Sequence, residues 1–372
     1  MNDCIKIIPI KSYDELVGII QGRNDCCGDL RGKFIFRGLS DGAYELIPSA
    51  LRKDNRLNDF VDEDFKLTVS LTHDLAVECG FAKENEYYYD EKDFSVNKYG
   101  NLIKEDVNDS AVSMGEFQIR KELNALMKFL SYADKVGLKV PVNREVRQLI
   151  EHNPQNLINR ESFWPDDKFF ELMALAQHYG VPTRFLDWSY DYRTALYFAV
   201  KNILDDNYLL NKKPENAILW ALNFKYFDRD YLKQGETYIS NYYRPEYNSN
   251  PNLNSQKGLF TFMLKKYDEK ADEPYDKFIE RFLNNYPQVS DEIPEDEPAF
   301  YKFIIPEDEK PNILKELYSE GYSEEYLFPG YAGVREAIEN RVKLDELIKT
   351  KEELRHIVIL GNYYEKLSHY LI

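Results

Sequence analysis

Residues 171–200, ELMALAQHYGVPTRFLDWSYDYRTALYFAV, decide how this chain folds. The pattern predicts an apolar helix, a Gly-Val-Pro turn, a short apolar strand and a second apolar helix. Polar and aromatic side chains stand at the junctions between these elements, where a fold can both fix a side chain and expose it. The candidate functional residues at these junctions are His178, Tyr179, Thr183, Arg184, Asp187 and Trp188.

Strands and helices alternate on both sides of this stretch. Apolar segments predict strands at 33–39, 183–188, 217–224, 258–264 and 301–305, and helices at 60–79, 116–136, 169–179, 193–203, 312–320 and 333–348. This order is typical of an α+β fold in which a mixed or antiparallel sheet is flanked by helices. We expect a single domain over residues 1–348 and a C-terminal extension, 349–372, packed on it. The polar segments 83–115, a loop or hairpin, and 268–298 are predicted to be surface insertions.

The composition is that of a folded, acidic protein. The 372 residues are 43% hydrophobic, enough for a sizeable core. A formal net charge of -17 argues against broad, non-specific nucleic-acid binding, which needs a basic surface. The four cysteines include an adjacent pair and no CxxC spacing, so neither a disulfide framework nor a zinc site is predicted. Because no apolar segment reaches membrane-spanning length and the first residues lack a signal-peptide core, we expect a cytoplasmic protein without a membrane partner.

Phe36-Arg37-Gly38 closes the predicted strand at 33–39. An arginine at a strand end is held in place, and its guanidinium suits bidentate binding of a diphosphate or a carboxylate. Gly38 allows a ligand or another backbone segment to approach closely. On this tripeptide alone, a structural arginine paired with a core carboxylate is the favoured interpretation.

The predicted helix 169–179 ends before Gly180, and Gln177, His178 and Tyr179 project from its last turn. The imidazole of His178 suits a proton shuttle near neutral pH. It is equally suited to satisfy the backbone carbonyls that remain unpaired at a helix C-terminus. Both interpretations of His178 stay open.

Alternation along the predicted strand 183–188 puts Thr183, Phe185 and Asp187 on one face and the intervening residues on the other. Asp187 then lies near the start of the next helix, where capping or an ion pair is its simplest role. The segment NSQKG (254–258) places amide side chains ahead of a buried strand, where they can bind a base, a nicotinamide or a neighbouring loop. The sequence has no GxxxxGK[ST], GxGxxG, HExxH or GxSxG motif, and its five histidines form no metal-binding pattern.

Four blocks, taken in order, resemble the FRG domain family, which is named for its Phe/Tyr-Arg-Gly motif. They are FRG with YELIPSALR (36–52), the helix at 116–129, LMALAQHYGVPTRFLDWSYDYRTALYFAV (172–200) and NSQKGLF (254–260). YLFPGYAGVREAI (326–338) is similar to the end of that domain, so the resemblance covers residues 30–340 approximately. The chain departs from the family at Asn252, where many members carry arginine, and this puts a phosphate or partner contact from that position in doubt.

A weaker, fold-level resemblance is to the ADP-ribosyltransferases. In that family, an Arg-Gly on the first strand contacts NAD, a Ser/Thr strand precedes an A-x-x-F helix, and a carboxylate on a last strand completes the site. Arg37-Gly38, then Ser189 ahead of ALYFA (195–199), then Gln256 before Gly258 follow this order. The resemblance implies an ADP-ribosyltransferase-like sheet, NAD as the substrate without a metal, and displacement of nicotinamide through an oxocarbenium-like state.

The candidate site residues fall into two groups. The predicted catalytic residues are Gln256, Asp187, Glu122 and His178. Gln256 can orient a substrate but carries no charge, so Asp187 or Glu122 would supply it. The predicted ligand-binding residues are Arg37, Gly38, Gln177, Tyr179, Thr183, Arg184, Ser189 and Asn254.

Three functions follow from these residues, in descending order of preference. The first is an NAD-using ADP-ribosyltransferase-like enzyme, a bacterial or phage conflict factor that acts as a toxin or in defence and uses a protein or nucleic-acid acceptor. The second is a sensor module that binds a nucleotide or another small ligand without turnover, because the expected third carboxylate is missing. The third is a nuclease built on His178, Asp187 and Glu122, against which the net charge argues.

Overall fold

The protein is described here from a computed structural model that covers residues 4–24, 27–54, 56–84, 92–105, 112–152, 163–205, 215–228, 233–234, 237–238, 240–246, 251–266, 273–285 and 298–370. The strands are β1 (Ile5–Pro9), β2 (Phe34–Leu39), β3 (Lys66–Leu71), β4 (Lys92–Asn97), β5 (Leu102–Glu105), β6 (Phe163–Trp164), β7 (Leu186–Ser189), β8 (Ala217–Asn223), β9 (Lys233–Gln234), β10 (Thr237–Tyr238), β11 (Ser240–Tyr243), β12 (Gly258–Met263), β13 (Lys265–Lys266) and β14 (Phe300–Ile305).

The helices surround these strands. They are α1 (Tyr13–Ile20), α2 (His73–Glu78), α3 (Met114–Lys135), α4 (Arg144–His152), α5 (Phe170–His178), α6 (Tyr192–Val200), α7 (Lys225–Asp228), α8 (Pro251–Ser255), α9 (Tyr275–Asn285), α10 (Lys310–Ser319), α11 (Glu324–Leu327) and α12 (Tyr331–Tyr370). Helix α1 begins after Ser12, whose side chain caps it by accepting a hydrogen bond from the backbone N–H of Glu15 at 3.3 Å.

A seven-stranded sheet in the order β1-β14-β8-β2-β7-β12-β11 forms the centre of the molecule. Its β1–β14 pair is parallel, and the other neighbouring pairs are antiparallel. The sheet is therefore mixed and flanked by helices, which confirms the predicted α+β class.

Both faces of the sheet are covered, and the apolar alternation of β2 shows why. Phe34 and Phe36 belong to a cluster with buried residues of α1, α6 and α10. Ile35 and Leu39 belong to a different cluster, which contains buried residues of α9. Since successive side chains of a strand point to opposite faces, a strand that is apolar at both sets of positions must lie inside the protein.

Strands β2 and β7 meet at one point and then diverge. Strand β2 pairs with β8 at every residue from Phe34 to Leu39, whereas its pairing with β7 is confined to Phe36 opposite Ser189. Ser189 also pairs with Gly258 of β12. The divergence therefore opens a gap in the sheet beside Arg37, and this gap positions the site described below.

The prediction of one helix over residues 60–79 is wrong. This segment ends a short 3-10 helix (Arg56–Phe60), forms strand β3 and then enters α2. Strand β3 is a member of a small sheet, β3-β4-β5, whose buried side chains pack on Phe117 of α3. The apolar residues of 60–79 keep the helical period only loosely and are equally compatible with a strand that packs on a helix. Their spacing does not distinguish the two structures, and the packing against α3 decides between them.

The two predicted insertions differ in character. Residues 92–105 form the β4–β5 hairpin, as the first prediction allowed, and the rest of 85–111 lies outside the described residues. Within 268–298, helix α9 is not a surface decoration, because Tyr275, Phe278 and Ile279 are buried against the sheet. The predicted single-domain boundary at 348 falls inside α12, which runs unbroken from Tyr331 to Tyr370.

Candidate functional site

Arg37 and Asp187 form an ion pair across the gap between β2 and β7. The Arg37 Nη1 donates to the main-chain oxygen of Asp187 at 2.7 Å and also to its carboxylate. Arg37 is 8% exposed, whereas the Asp187 side chain is 61% exposed. Loss of hydration would raise the pKa of the Asp187 carboxyl, but the charge and the hydrogen bond of Arg37 outweigh it, and the pKa is lowered. Asp187 is thus an anchored, ionised carboxylate open to solvent.

Gln177 and Thr183 extend this pair into a polar chain. The Thr183 hydroxyl donates to the side-chain oxygen of Gln177, and the Gln177 amide lies 3.5 Å from the Asp187 carboxylate. Ser49 and the Thr183 backbone exchange hydrogen bonds of 3.1 and 3.3 Å. The end of α5, the segment before β7 and the segment after β2 are therefore joined at one point.

A narrow depression lies where β2 and β7 diverge. Its cavity volume is about 40 Å³, room for a few water molecules. It is lined by residues of β2, β7, α6 and the α8–β12 turn, among them Arg37, Gly38, Asp187, Ser189, Thr194 and Gln256. The Nε of Arg37 and the hydroxyl of Thr194 are buried and have no hydrogen-bond partner in the described part of the chain. Buried polar atoms of this kind are usually paired, so these two mark a place for a ligand or ordered water.

Gly38 is required by packing and not by a ligand. A Cβ built on Gly38 would lie 1.9 Å from the main-chain oxygen of Ala195 and 2.6 Å from the nitrogen of Ala199. Helix α6 therefore crosses β2 in direct backbone contact at this residue. Of the two possibilities that the sequence left open, the approaching group is another backbone segment.

Ser189 and Gln256 form the wall of the depression opposite β2. The Ser189 hydroxyl donates to the main-chain oxygen of Gln256 at 2.7 Å and accepts from the backbone N–H of Asp191 at 2.9 Å. The Gln256 amide donates to the main-chain oxygen of Leu327 at 3.2 Å. Ser189 thus holds the start of α6 against the α8–β12 turn, and the C-terminal part of the chain holds the side chain of Gln256.

Arg52 is a functional candidate that the sequence reasoning did not single out. Its Nε donates to the main-chain oxygen of Ile47 at 3.1 Å. Partial burial lowers the pKa of Arg52, the charge of Arg37 lowers it further, and the charge of Asp187 opposes both. Arg52 therefore shares the electrostatic environment of the Arg37–Asp187 pair. Its position at the end of YELIPSALR, inside the resembling block, was the available signal.

Glu122 and Arg184 lie together but outside the depression. Arg184 Nε donates to both carboxylate oxygens of Glu122, at 2.8 and 2.9 Å, and both residues are 3% exposed. Trp164 Nε1 donates to the same carboxylate at 2.7 Å, and the Gln118 amide does so at 3.0 Å. With four hydrogen bonds to its carboxylate, Glu122 is placed to hold α3 to the segment before β7.

His178, Tyr179 and Asn254 also lie away from the depression. The Asn252 amide lies 2.8 Å from His178 Nε2, and burial lowers the pKa of His178. The Tyr179 ring stacks on Phe129 at a centroid distance of 6.4 Å. Asn254 is exposed on α8. The structure therefore gathers seven candidates around the gap and leaves the others elsewhere; the seven are Arg37, Gly38, Gln177, Thr183, Asp187, Ser189 and Gln256.

Among the described residues, no group of three or more His, Cys, Asp or Glu residues is arranged to hold a metal ion. Within the same residues, no helix combines the length and the apolar character needed to cross a bilayer.

Comparison with known protein families supports the first of the two resemblances. The family model described as FRG domain matches residues 120–208, which extend from α3 past α6 and include Glu122, Gln177 and Asp187. This confirms the first resemblance, although Arg37 and Gln256 lie outside the matched segment. No curated protein and no solved structure matches the chain. The resemblance to ADP-ribosyltransferases therefore has no support from these comparisons.

Proposed function

This chain carries an FRG domain, and we propose that the domain binds NAD at the depression beside Arg37 and acts on it as an ADP-ribosyltransferase-like enzyme. One observation carries the proposal: Arg37 is buried with an Nε that has no hydrogen-bond partner among the described residues, beside an ionised carboxylate that faces solvent. A guanidinium held in this way is suited to a diphosphate, and Arg52 adds a second positive charge nearby.

The proposed reaction breaks the bond between C1 of the ribose and the nicotinamide nitrogen, and the bonding electron pair leaves with nicotinamide. The acceptor, water or a nucleophile on a protein or nucleic acid, bonds to the same carbon and loses a proton. Asp187 is the carboxylate we assign to stabilise the positive ribose and orient its hydroxyl groups, since it is the exposed carboxylate of the depression. Gln256 serves as a neutral orienting group.

Binding of NAD requires the depression to widen, because its volume of about 40 Å³ is far below the range of roughly 300–1,000 Å³ typical of small-molecule sites. The side chain of Gln256 is the part we expect to move, because a single hydrogen bond, to the main-chain oxygen of Leu327, holds it. The backbone of this turn is tied more firmly, by the hydrogen bonds from Ser189 and from the Tyr190 N–H and by the Lys257–Asp191 ion pair. The walls formed by β2 and α6 are fixed by the backbone contact at Gly38.

A second candidate function is a sensor that binds a nucleotide or another small ligand without turnover. The observation that favours it is that both candidate carboxylates are already paired with arginines. Glu122 is enclosed by Arg184 and Trp164, and the charge of Asp187 is already balanced by Arg37. A site whose negative charge is neutralised in this way can bind an anion while offering little stabilisation to a cationic transition state.

The first experiment is a thermal-shift titration of the pure protein with NAD. A ligand that binds the native state alone raises stability with its concentration, by about 2.7 kcal/mol at 100 times Kd. We expect a shift in the wild type that is reduced in Arg37→Lys and in Arg52→Ala. Arg335→Ala, which removes an exposed arginine of α12, is the matched control and should behave as the wild type.

Release of nicotinamide separates the two candidates. Measurable release by pure protein, or upon addition of a cell extract that supplies an acceptor, supports the enzyme and removes the sensor. Binding without release in either condition supports the sensor. Absence of any shift at millimolar NAD contradicts both NAD-based forms of the proposal and leaves a different ligand for the depression.

The cellular role remains part of this proposal. We assign the protein to the cytoplasm and to conflict between bacteria and phages, as a toxin or a defence factor. The nuclease hypothesis receives no support from geometry, because His178, Asp187 and Glu122 do not share a site. A cleavage assay on RNA and DNA with and without Mg²⁺ tests that hypothesis independently.

A further inference from the structure

Helix α12 carries a stripe of exposed apolar residues on the side that faces away from the core. Its inner side is fixed, since Leu344 and Leu347 are buried in the cluster that also contains residues of α6 and α10. The exposed apolar residues are Tyr331 (97% exposed), Val334 (47%), Ile338 (63%) and Val342 (56%). Because they are spaced by three or four positions, they lie on one face of the helix. A contiguous exposed apolar face of this kind marks an interaction surface.

The charged residues beside the stripe are balanced in sign, although the chain as a whole carries a net charge of -17. Between Tyr331 and Lys349, the exposed charged residues are four acidic and four basic ones: Glu336, Glu339, Asp345, Glu346, Arg335, Arg341, Lys343 and Lys349. A helix that binds an anionic membrane or a nucleic acid carries an excess of lysine and arginine. An apolar stripe with flanking charges of both signs is instead typical of a helix that pairs with another helix.

A second copy of α12 is a helix of the required kind, and the charges favour an antiparallel arrangement. Asp345 and Lys349 continue the stripe at the same spacing, so in a parallel pair each would face its own like charge. In an antiparallel pair with a two-fold axis level with Asn340, Ile338 lies beside the partner's Val342. The same axis places Tyr331 beside the partner's Lys349, where a cation can lie over the ring.

We propose that α12 is the contact surface of a homodimer, in which the stripe formed by Tyr331, Val334, Ile338 and Val342 packs antiparallel against the same stripe of a second copy. The contact is isologous, so one patch serves both copies and the assembly closes at two chains. Since the stripe is short compared with standard interfaces, we expect a reversible dimer with a Kd of roughly 1–100 µM. The proposal is independent of NAD binding and of turnover.

The test is sedimentation velocity of the full chain, without added ligand, at concentrations from about 1 to about 200 µM. We expect the average mass of the wild type to rise from 44.0 kDa towards twice that value. Ile338→Glu/Val342→Glu should weaken association at least about tenfold, because it brings carboxylates of both copies together. Val136→Glu/Leu138→Glu, at exposed aliphatic positions beyond α3, is the matched control and should associate as the wild type does. Circular dichroism should give wild-type spectra for both variants, since all four positions are exposed.

Disulfide trapping tests the arrangement of the two helices. A mixture of Tyr331→Cys and Lys349→Cys should form a cross-linked dimer, and neither variant alone should do so above the background that the native cysteines give in the wild type. Cross-linking of either variant alone overturns the antiparallel pairing. A wild type that stays at 44.0 kDa at the highest concentration overturns the dimer and assigns the stripe to a helix of a different protein. Association that survives Ile338→Glu/Val342→Glu overturns the proposal as well.

Discussion

Glu122 of α3 and Arg184, just before β7, form an ion pair in which Arg184 Nε lies 2.8 and 2.9 Å from the two carboxylate oxygens. Asp187 follows Arg184 by three positions, so this pair fixes the strand that carries the exposed carboxylate of the candidate site. Trp164 and Gln118 use the remaining acceptor capacity of Glu122. The pair therefore supports the strand that carries Asp187, and neither of its residues lines the depression.

Truncation of Glu122 should destabilise the protein more than any exposed charge does. Glu122→Ala leaves Arg184 buried without a counter-charge, so we expect the free energy of unfolding in urea to fall by about 3–5 kcal/mol. Arg335→Ala breaks an exposed pair with Glu339 and should change it by less than about 0.5 kcal/mol. Equal, small effects of the two substitutions would contradict a structural role for Glu122.

A side chain at Gly38 should separate β2 from α6. In Gly38→Ala the new Cβ meets main-chain atoms of Ala195 and Ala199 that have no flexible end to give way. We expect a loss of about 3 kcal/mol in unfolding free energy, at the upper end for overpacking. Gly28→Ala is the matched control, because its Cβ would meet nothing within 4 Å. A wild-type melting temperature for Gly38→Ala would show that α6 can shift freely.

Much of the fold was predictable because the central strands are apolar at both sets of alternating positions. Strands β2, β8, β12 and β14 lie within a residue or two of their predicted limits. Strand β7 begins at Leu186 instead of Thr183, since the Thr183 oxygen accepts from the Ala50 N–H and holds this residue off the ladder. A hydrogen bond from a distant segment of this kind cannot be predicted from the local pattern of apolar residues.

The candidate site was predictable in part. Residues at the ends of elements, such as Arg37, Gln177 and Asp187, meet at the gap between β2 and β7. The sequence could not distinguish Glu122 and Arg184 from these site residues. A polar residue beside an apolar stripe gives the same sequence pattern whether it faces a ligand or a buried partner. A cavity of about 390 Å³ between the loop before β2, the end of β8 and Tyr301 was not predicted, since its lining comes from three segments without a recognisable motif.

Lys121 provides a test of pH dependence. It is 6% exposed on α3, and burial lowers its pKa to about 8, despite the opposing charge of Glu122. The unfolded chain, with a lysine pKa near 10.4, binds the proton more tightly than the folded one, so this residue disfavours folding at pH 7. Its unfavourable contribution fades as the pH rises from about 8 to about 10.4.

Lys121→Met should therefore stabilise the protein at pH 7, by an amount of the order of 2–3 kcal/mol, and by less at pH 10. Urea denaturation of wild type and variant at both pH values measures this difference. Lys139→Met, at an exposed position, should show no such change with pH. An advantage of Lys121→Met that stays constant between pH 7 and pH 10 would assign the effect to packing alone.

Asp187→Asn separates binding from turnover at the Arg37 depression. The variant keeps the hydrogen bond from Arg37 to the main-chain oxygen of residue 187 but removes the ion pair, which frees guanidinium charge for a diphosphate. We expect NAD to bind at least as tightly as in the wild type, while nicotinamide release, if Asp187 supports the cationic ribose, falls about a hundredfold or more. Arg37 lowers the pKa of Asp187, so this carboxylate becomes protonated only at a pH below the usual range for aspartate. Its ionisation should therefore contribute no pH dependence between about pH 6 and pH 8. Unchanged release in Asp187→Asn would remove this carboxylate from the reaction, and weaker NAD binding would mean that the ion pair itself shapes the ligand site.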